Sequence, residues 1–169
     1  IVGAGGVGLA GIGMAKAVVR AKIIVLEIDP AKRAAAREAG ADVVLDNSDP
    51  SAREELISLT NGGPNAVIDF VGAPATVEFA FGVIAKGASL VLVGLYGGAA
   101  QLSTSLFPLK VNNILGSYVG TQQDLVELLQ LIREGKVKSV PLVRRPLREA
   151  PQAIQEPREG KALGRYVLV

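Results

Sequence analysis

The sequence predicts an α/β fold in which a six-stranded parallel sheet is doubly wound, with helices on both faces. Short runs of Val, Ile and Leu alternate with longer helical patterns from Ile1 to Gly120, and such alternation requires crossover connections and hence parallel strands. Hydrophobic residues make up 49% of the chain but aromatic residues only 4%, so the core consists of small aliphatic side chains, as buried parallel strands favour. A glycine-rich turn at residues 3–8 separates the first predicted strand from the first predicted helix.

The glycine-rich turn reads Gly-Ala-Gly-Gly-Val-Gly over residues 3–8, directly after Ile1-Val2. An apolar helical pattern over Val7–Val19 follows it, and the next predicted strand, Ile23–Glu27, ends in an acidic residue. A strand, a G-x-G-x-x-G turn, a helix and a second strand ending in an acid form the dinucleotide-binding fingerprint of a Rossmann fold. Without this context, the same glycines would indicate only an ordinary turn from strand to helix.

Each part of the fingerprint has a physical purpose. Gly3 permits the tight turn, Gly5 lets the backbone approach a pyrophosphate, and Gly8 lets helix and strand pack closely. The helix beginning near Gly6 and Val7 offers unpaired N–H groups and a positive dipole end to the phosphates.

The acidic residue Glu27 favours NAD over NADP. Its carboxylate can accept hydrogen bonds from the adenosine ribose hydroxyls and would repel a 2′-phosphate. The alternative is a solvated acid at a strand end. Two nearby cations, Lys32 and Arg33, could meet an additional phosphate, so the sequence leaves a role for NADP open.

Local signals define the next elements. Asp29-Pro30 supplies an N-cap and a proline at the first helical position, which predicts a helix over Ala31–Ala39 that Gly40 ends. Val43–Leu45 reads as the third strand, and Ser48-Asp49-Pro50 restarts a helix that runs to about Leu59.

The pattern continues through the second half of the sheet. Ala66–Phe70 and Ser89–Gly94 are apolar runs that predict the fourth and fifth strands, with a helix over residues 75–85 between them. A short helix is expected near Phe107–Asn112, and Ile114–Val119 reads as the sixth strand.

The last part of the chain does not fit a sheet that is already six strands wide. A helix over Gln122–Arg133 places Leu125, Leu128, Leu129 and Ile132 on one face. Further elements are predicted at 140–143 (extended), 148–156 (helical) and 166–169 (extended). We therefore expect a nucleotide-binding domain over residues 1–121 and a separate C-terminal segment over residues 122–169.

Composition excludes several classes of function. The net charge is +2, from 18 basic and 16 acidic residues, and no basic patch is interleaved with aromatic residues, which argues against nucleic-acid binding. No run is long enough for a transmembrane helix and no signal peptide is visible, so no membrane partner is expected. The lack of cysteine gives weak support for a cytoplasmic location.

The chain also lacks histidine. Without His and Cys it can form neither an ordinary zinc site nor a Cys-His or Ser-His nucleophile pair, and we predict no catalytic or metal-binding residue within it. Only Ile1 and Val2 precede the glycine turn, whereas a first strand needs about five residues. The expectation is a truncated first strand and hence a piece of a longer protein.

Taken in order, the motifs resemble those of the medium-chain, zinc-type alcohol dehydrogenase superfamily, and most of all its bacterial and archaeal secondary alcohol dehydrogenases. Beyond the glycine turn, the motifs that carry the resemblance are Val25-Leu26-Glu27-Ile28-Asp29 with Lys32, Ala39-Gly40-Ala41-Asp42, Val67-Ile68-Asp69-Phe70-Val71-Gly72, Val91-Leu92-Val93-Gly94, Gly116-Ser117-Tyr118-Val119-Gly120 and Gly164-Arg165.

The resemblance implies a coenzyme domain preceded by a GroES-like catalytic domain, whose Cys and His ligands would hold the catalytic zinc. The whole enzyme would transfer a hydride between an alcohol or ketone substrate and the nicotinamide of NAD, and the present chain alone would be inactive. The segment after residue 121 would return to the catalytic domain. A homodimer or homotetramer would form through the edge strand near Ile114–Tyr118.

The resemblance also assigns site residues. The backbone of residues 3–8 would hold the pyrophosphate, Glu27 and Lys32 the adenosine ribose, and Arg165 would reach the pyrophosphate from the tail. The remaining cofactor contacts would be Phe70 and Val71 beside the cofactor, and Val93, Gly94, Leu95, Ser117, Tyr118 and Val119 around the nicotinamide. The alternative is a plain core role for the apolar members and a surface position for Arg165. Pro157 departs from the family pattern, and we expect the helix that contains it to end or kink near Glu156.

Three other families are considered. A zinc-free quinone reductase of the same superfamily would use NADPH, against which Glu27 argues. Short-chain dehydrogenases require Tyr-x-x-x-Lys, which is absent around Tyr96, Tyr118 and Tyr166. A nucleotide-sensing regulatory domain, as in potassium channels, would share the glycine turn and the acid but not Gly116–Gly120 or Gly164-Arg165.

Overall fold

A computed structural model describes residues 1–169. Its main sheet contains five parallel strands: β1 (Ile24–Leu26), β2 (Val43–Leu45), β3 (Ala66–Asp69), β4 (Ser89–Leu92) and β5 (Asn113–Gly116). Val2 forms parallel bridges to Leu26 and to Asp69, which joins β1 to β3 and gives the order β2-β1-Val2-β3-β4-β5. The parallel α/β architecture is confirmed, and Val2 alone occupies the position of the expected first strand.

Helices cover both faces of this sheet. They are α1 (Gly6–Val18), α2 (Pro30–Ala39), α3 (Ala52–Leu59), α4 (Pro74–Val83) and α5 (Leu106–Lys110). Two further helices, α6 (Gln122–Arg133) and α7 (Ala150–Arg158), follow in the chain. Successive side chains of a strand point to opposite faces. Ile24 and Leu26 accordingly join a core cluster with α3 and α4, whereas Ile23 and Val25 join a second cluster with α1 and α2.

The element boundaries follow local hydrogen bonding. Asp29 caps α2 as predicted, since its Oδ1 accepts from the amides of Ala31 (2.8 Å) and Lys32 (3.1 Å). The predicted start of α3 at Ser48 was too early. Asp49 Oδ1 instead accepts from the amide and hydroxyl of Ser51, a local turn that delays the helix to Ala52.

Helix α6 begins and ends as predicted, because a capping box between Thr121 and Asp124 defines its start. None of its residues is buried. Its apolar face, which includes Leu125, Leu129 and Ile132, is 42–54% exposed. This face has no partner within the chain.

The last elements form a small unit of their own. Strands β6 (Leu142–Arg145) and β7 (Arg165–Leu168) pair in parallel, separately from the main sheet. Glu156 Oε2 accepts hydrogen bonds from Arg145 Nη2 (2.7 Å) and from the Tyr166 hydroxyl, which ties α7 to both strands. Val140 and Leu163 pack against the cluster formed by α1 and α2.

Pro157 lies inside α7, which ends one residue later at Arg158. The helix therefore ends two residues after the predicted position, Glu156, consistent with a proline that removes an N–H donor near the helix end. None of the helices combines the length and apolar character that crossing a membrane would demand.

Candidate functional site

A cleft of about 670 Å³ opens beside the glycine turn, at the carboxyl ends of β1 and β3. Ligands of open parallel sheets bind at this edge, where the strand order reverses. Ten of the predicted cofactor-binding residues line the cleft: Gly3, Gly5, Gly6, Val7, Gly8, Glu27, Lys32, Phe70, Val71 and Arg165. Residues separated by more than a hundred positions in the sequence thus share one wall.

The glycine turn is shaped by close backbone approaches. Gly3 has a φ of +85°, a left-handed conformation that side chains disfavour, and a Cβ at this position would lie 2.6 Å from Val71 Cγ2. A Cβ on Gly8 would collide with the carbonyl oxygen of Gly3. The first turn of α1 therefore packs directly against the turn that precedes it.

The start of α1 presents unpaired backbone amides to the cleft. Gly5 is the N-cap and provides no side-chain cap, and the first helical turn has no acidic residue. The amides of Gly5, Gly6, Val7 and Gly8 donate no hydrogen bond within the chain, and a Cβ on Gly5 would meet nothing within 4 Å. Unpaired N–H groups and the helix dipole together favour a phosphate here.

Glu27 lies on the wall of the cleft and is bonded to the glycine turn. Its side chain is buried, and both carboxylate oxygens accept backbone hydrogen bonds: Oε2 from the amide of Ala4 (2.7 Å) and Oε1 from the amide of Asp29 (3.0 Å). These bonds fix the carboxylate relative to the glycine turn. Each oxygen keeps further acceptor capacity for the hydroxyls of a ligand.

The two cations near Glu27 have different environments. Arg33 Nη1 donates to the carbonyls of Glu27 (3.0 Å) and Ile28 (2.6 Å) and to Asp46 Oδ2 (2.7 Å). Hydrogen bonds from Ser48, with help from the Arg33 charge, hold the pKa of Asp46 below its usual value, so Asp46 stays ionised to a lower pH than an ordinary aspartate. Lys32 lines the cleft and forms no ion pair, which leaves it as the free cation beside Glu27.

The C-terminal tail lines the cleft beside the start of α1. Arg165 lies against α1, since a Cβ on Gly6 would be 2.8 Å from Arg165 Nε and 2.6 Å from the Gly164 carbonyl oxygen. Pro157, Glu159 and Gly160 also line the cleft. The sequence signalled Arg165 through its Gly-Arg motif but gave no sign that the end of α7 would reach the same wall.

Other lining residues were not anticipated. Asn47, Thr76 and Tyr96 contribute side chains to the cleft, and each lies just beyond the carboxyl end of a strand or in the helix that follows. These residues could have been predicted from their position after buried strands, because the loops at this edge of a parallel sheet carry the ligand contacts.

Comparison with known proteins agrees with this geometry. The sequence profile of the family described as zinc-binding dehydrogenase matches residues 6–134. The chain belongs to this family. Two curated relatives are NAD-dependent alcohol dehydrogenases, from Sulfurisphaera tokodaii (37% identical over 171 residues, 100% of this chain and 49% of the relative) and Saccharolobus solfataricus (35%, 100% and 49%).

Solved structures of the family show the same fold. The alcohol dehydrogenase of Aeropyrum pernix superposes with a TM-score of 0.93 at 32% identity, over 100% of this chain and 48% of that structure. The chain thus spans about half the length of the curated and solved relatives that it matches.

Six of the predicted nicotinamide contacts, Val93, Gly94, Leu95, Ser117, Tyr118 and Val119, lie outside the wall of the cleft. They follow β4 and β5 at the same edge of the sheet. Leu95, Tyr118 and Val119 are each more than 75% exposed. Their role stays a prediction.

The family description includes zinc, but the residues of this chain do not fit a zinc site. Zinc in proteins is bound by Cys, His, Asp and Glu. The chain contains no Cys or His, and no three side chains of these four types are grouped closely enough to hold a metal ion. No catalytic step is therefore derived through zinc on the residues described.

Proposed function

We propose that this chain is the coenzyme-binding portion of an NAD-dependent alcohol dehydrogenase. One observation carries the proposal: four unpaired amides at Gly5–Gly8 and the fixed carboxylate of Glu27 line the same cleft. The amides suit the pyrophosphate of a dinucleotide, and the carboxylate suits the hydroxyls of its adenosine ribose.

Each end of the cleft has its own task. The N–H groups of residues 5–8 and the α1 dipole bind the pyrophosphate, and the Arg165 guanidinium adds a positive charge beside them. Glu27 accepts from the ribose hydroxyls while Lys32 partly balances its charge. Phe70 and Val71 form the apolar floor that keeps water from the middle of the cofactor.

The nicotinamide half of the cofactor lies toward the ends of β4 and β5. There, the backbone of Val93, Gly94 and Leu95 and that of Ser117, Tyr118 and Val119 surround the ring. NAD held there would supply the hydride acceptor for the oxidation of an alcohol. The protein contributes the orientation of the ring and the exclusion of water.

The whole enzyme comprises more than this chain. Residues 1–121 bind the cofactor, and residues 122–169 return toward a catalytic domain that supplies the zinc and the pocket for the alcohol or ketone. The names of the relatives and the half-length match support this division. The exposed apolar face of α6 is consistent with a segment that meets another part of the protein.

The cofactor role is tested by titrating the 169-residue chain with NADH and following the fluorescence of the bound cofactor. We expect saturable binding and no alcohol oxidation. Arg165→Ala should weaken binding about tenfold and reduce its salt dependence, because one charge–phosphate contact is lost. The control is Arg158→Ala, which removes an exposed arginine from α7 in the same tail. Equal affinity in all three proteins would contradict the role of Arg165, and absence of binding would contradict the cofactor role itself.

We further propose that the chain dimerises through β5. This strand ends the order β3-β4-β5, and Leu115 and Gly116 are exposed. The amides of Asn113 and Ser117 donate toward β4, so the alternating amides of Ile114 and Gly116 face the open edge, where a second copy can continue the sheet.

A proline tests this edge without disturbing the inner ladder. Gly116→Pro removes one outward donor, and we expect a dimer in light scattering to become a monomer, with the circular dichroism unchanged. Gly116→Ala keeps the amide and finds open space around its Cβ, so it should remain dimeric. A monomeric wild-type chain at high concentration would rule out this interface.

A further inference from the structure

Asp69 is a carboxylate in the core, for which the cofactor contacts described above provide no role. Its side chain is 0% exposed at the end of β3 and forms no salt bridge. At the same level of the sheet its neighbours are apolar: Leu92 is its partner on β4, and Val2 bridges it to Leu26 on β1. Burial of a carboxylate is costly unless hydrogen bonds compensate it, so the sheet itself gives no reason for an acid here.

All hydrogen bonds of the Asp69 side chain end on the segment that lines the cleft. Oδ1 accepts from the amides of Val71 (2.8 Å) and Gly72 (3.0 Å), and Oδ2 accepts from Thr76 Oγ1 (2.7 Å). The Thr76 hydroxyl in turn accepts from the amide of Ala73 (3.1 Å), at the N-cap of α4. The carboxylate thus defines the turn from β3 into α4.

This turn connects the two other loops of the cleft. Val71 is the side chain against which Gly3 packs, and the amide of Phe70 donates to the carbonyl of Val2 (2.9 Å). On the other side, the amide of Tyr96 donates to the carbonyl of Val71 (3.1 Å). A displacement of the turn would therefore move both the pyrophosphate-binding turn and the segment that follows β4.

We propose that Asp69 and Thr76 form a positioning pair for the cofactor cleft. The carboxylate holds the turn at Val71 and Gly72, and the Thr76 hydroxyl locks the carboxylate to the first turn of α4. The pair acts on the cofactor through the backbone of the turn and through Val71. This inference rests on the proposed binding of NAD.

The test is a double-mutant cycle on NADH affinity in the 169-residue chain, measured well below the unfolding temperature of every variant. Asp69→Asn keeps the shape but weakens the charge-assisted hydrogen bonds, and Thr76→Val removes the hydroxyl at constant volume. Each change should weaken NADH binding about five- to tenfold. The double variant should bind NADH no more weakly than the weaker-binding single variant, because both changes disrupt the same hydrogen-bonded pair. Thr76→Ser keeps the hydroxyl that Thr76→Val removes, and this variant should bind NADH with an affinity within about twofold of the wild type.

A variant in the core distinguishes a purely structural role of Asp69 and Thr76 from a role in NADH binding. Leu56→Ala removes a buried side chain of α3 that does not line the cleft, so it should lower the unfolding temperature without changing the NADH affinity of the folded chain. Additive effects of the two changes, or variants that lose stability but keep affinity as Leu56→Ala does, would overturn the positioning pair.

A wild-type chain that fails to bind NADH would contradict the proposed function. Amide hydrogen exchange would then test the Asp69–Thr76 pair independently of NADH binding. Asp69→Asn should accelerate exchange at the hydrogen-bonded amides of the two neighbouring loops, Gly3, Ala4, Val93, Gly94 and Tyr96, more than Leu56→Ala does. Equal acceleration in the two variants would overturn the inference.

Discussion

Gly8→Ala should abolish measurable NADH binding and destabilise the chain by about 3 kcal/mol, the upper end of overpacking effects. A Cβ at this position collides with the carbonyl oxygen of Gly3, a backbone atom that cannot move away as a side chain could. Alanine would gain up to about 1 kcal/mol of helix propensity in α1, but the collision outweighs this gain. To relieve it, the turn must shift away from α1, which separates the amides of residues 5–8.

The matched control lies in the same helix. Gly13→Ala adds a Cβ whose nearest neighbours, Val137 Cγ1 and the Lys138 carbonyl oxygen, are at 3.8 and 3.9 Å, which is ordinary contact. This variant should be stabilised by about 0.5–1 kcal/mol and should bind NADH like the wild type. Urea unfolding and NADH titration of both variants provide the measurements. Undiminished NADH binding by Gly8→Ala would refute the close packing of turn and helix.

Glu27→Gln is the second large effect expected. Both carboxylate oxygens accept backbone amides, from Ala4 and from Asp29. Glutamine retains one acceptor but turns its NH₂ group toward the other amide, which leaves two donors facing each other in a buried place at a cost of about 1–3 kcal/mol. We expect NADH affinity to fall by at least about tenfold, since both the carboxylate and the turn that it fixes are affected.

The same variant should also change the cofactor preference. Removal of the negative charge relieves repulsion of a 2′-phosphate, and Lys32 remains in the cleft as a free cation. The ratio of the NADPH to the NADH dissociation constant should therefore fall relative to the wild type. The control Glu38→Gln, on the exposed side of α2, should leave both constants unchanged. A wild-type chain that already prefers NADPH would contradict the assignment of NAD.

The elements that the sequence predicted best are those with local signals. Helix α6 has the predicted ends because Thr121 and Asp124 cap it through neighbouring side chains, and α2 follows from its Asp-Pro start. Strand β5 was predicted too long. An apolar run continues to Val119, but pairing with β4 stops at Gly116 because β4 itself ends at Leu92. A strand end depends on its partner, which no local pattern encodes.

Within the site, the sequence identified the residues whose type is dictated by the ligand. On the proposed function this group comprises the glycines of the turn, Glu27 and Arg165, and all of them line the cleft. Thr76 and Asp69 were not singled out because their types are common at strand ends and helix starts. Their importance comes from distances that only the folded chain defines.

The sequence by itself determined the parallel α/β fold, the dinucleotide fingerprint and the family resemblance, because periodicity, turn chemistry and motif order are properties of short segments. The tertiary structure decided which cation is free and which is engaged: Arg33 is bound to Asp46 and to backbone carbonyls, and Lys32 is not. It also decided that Arg165 meets Gly6. Both outcomes depend on contacts between distant segments, whose geometry is set by how the helices and the tail pack around the sheet.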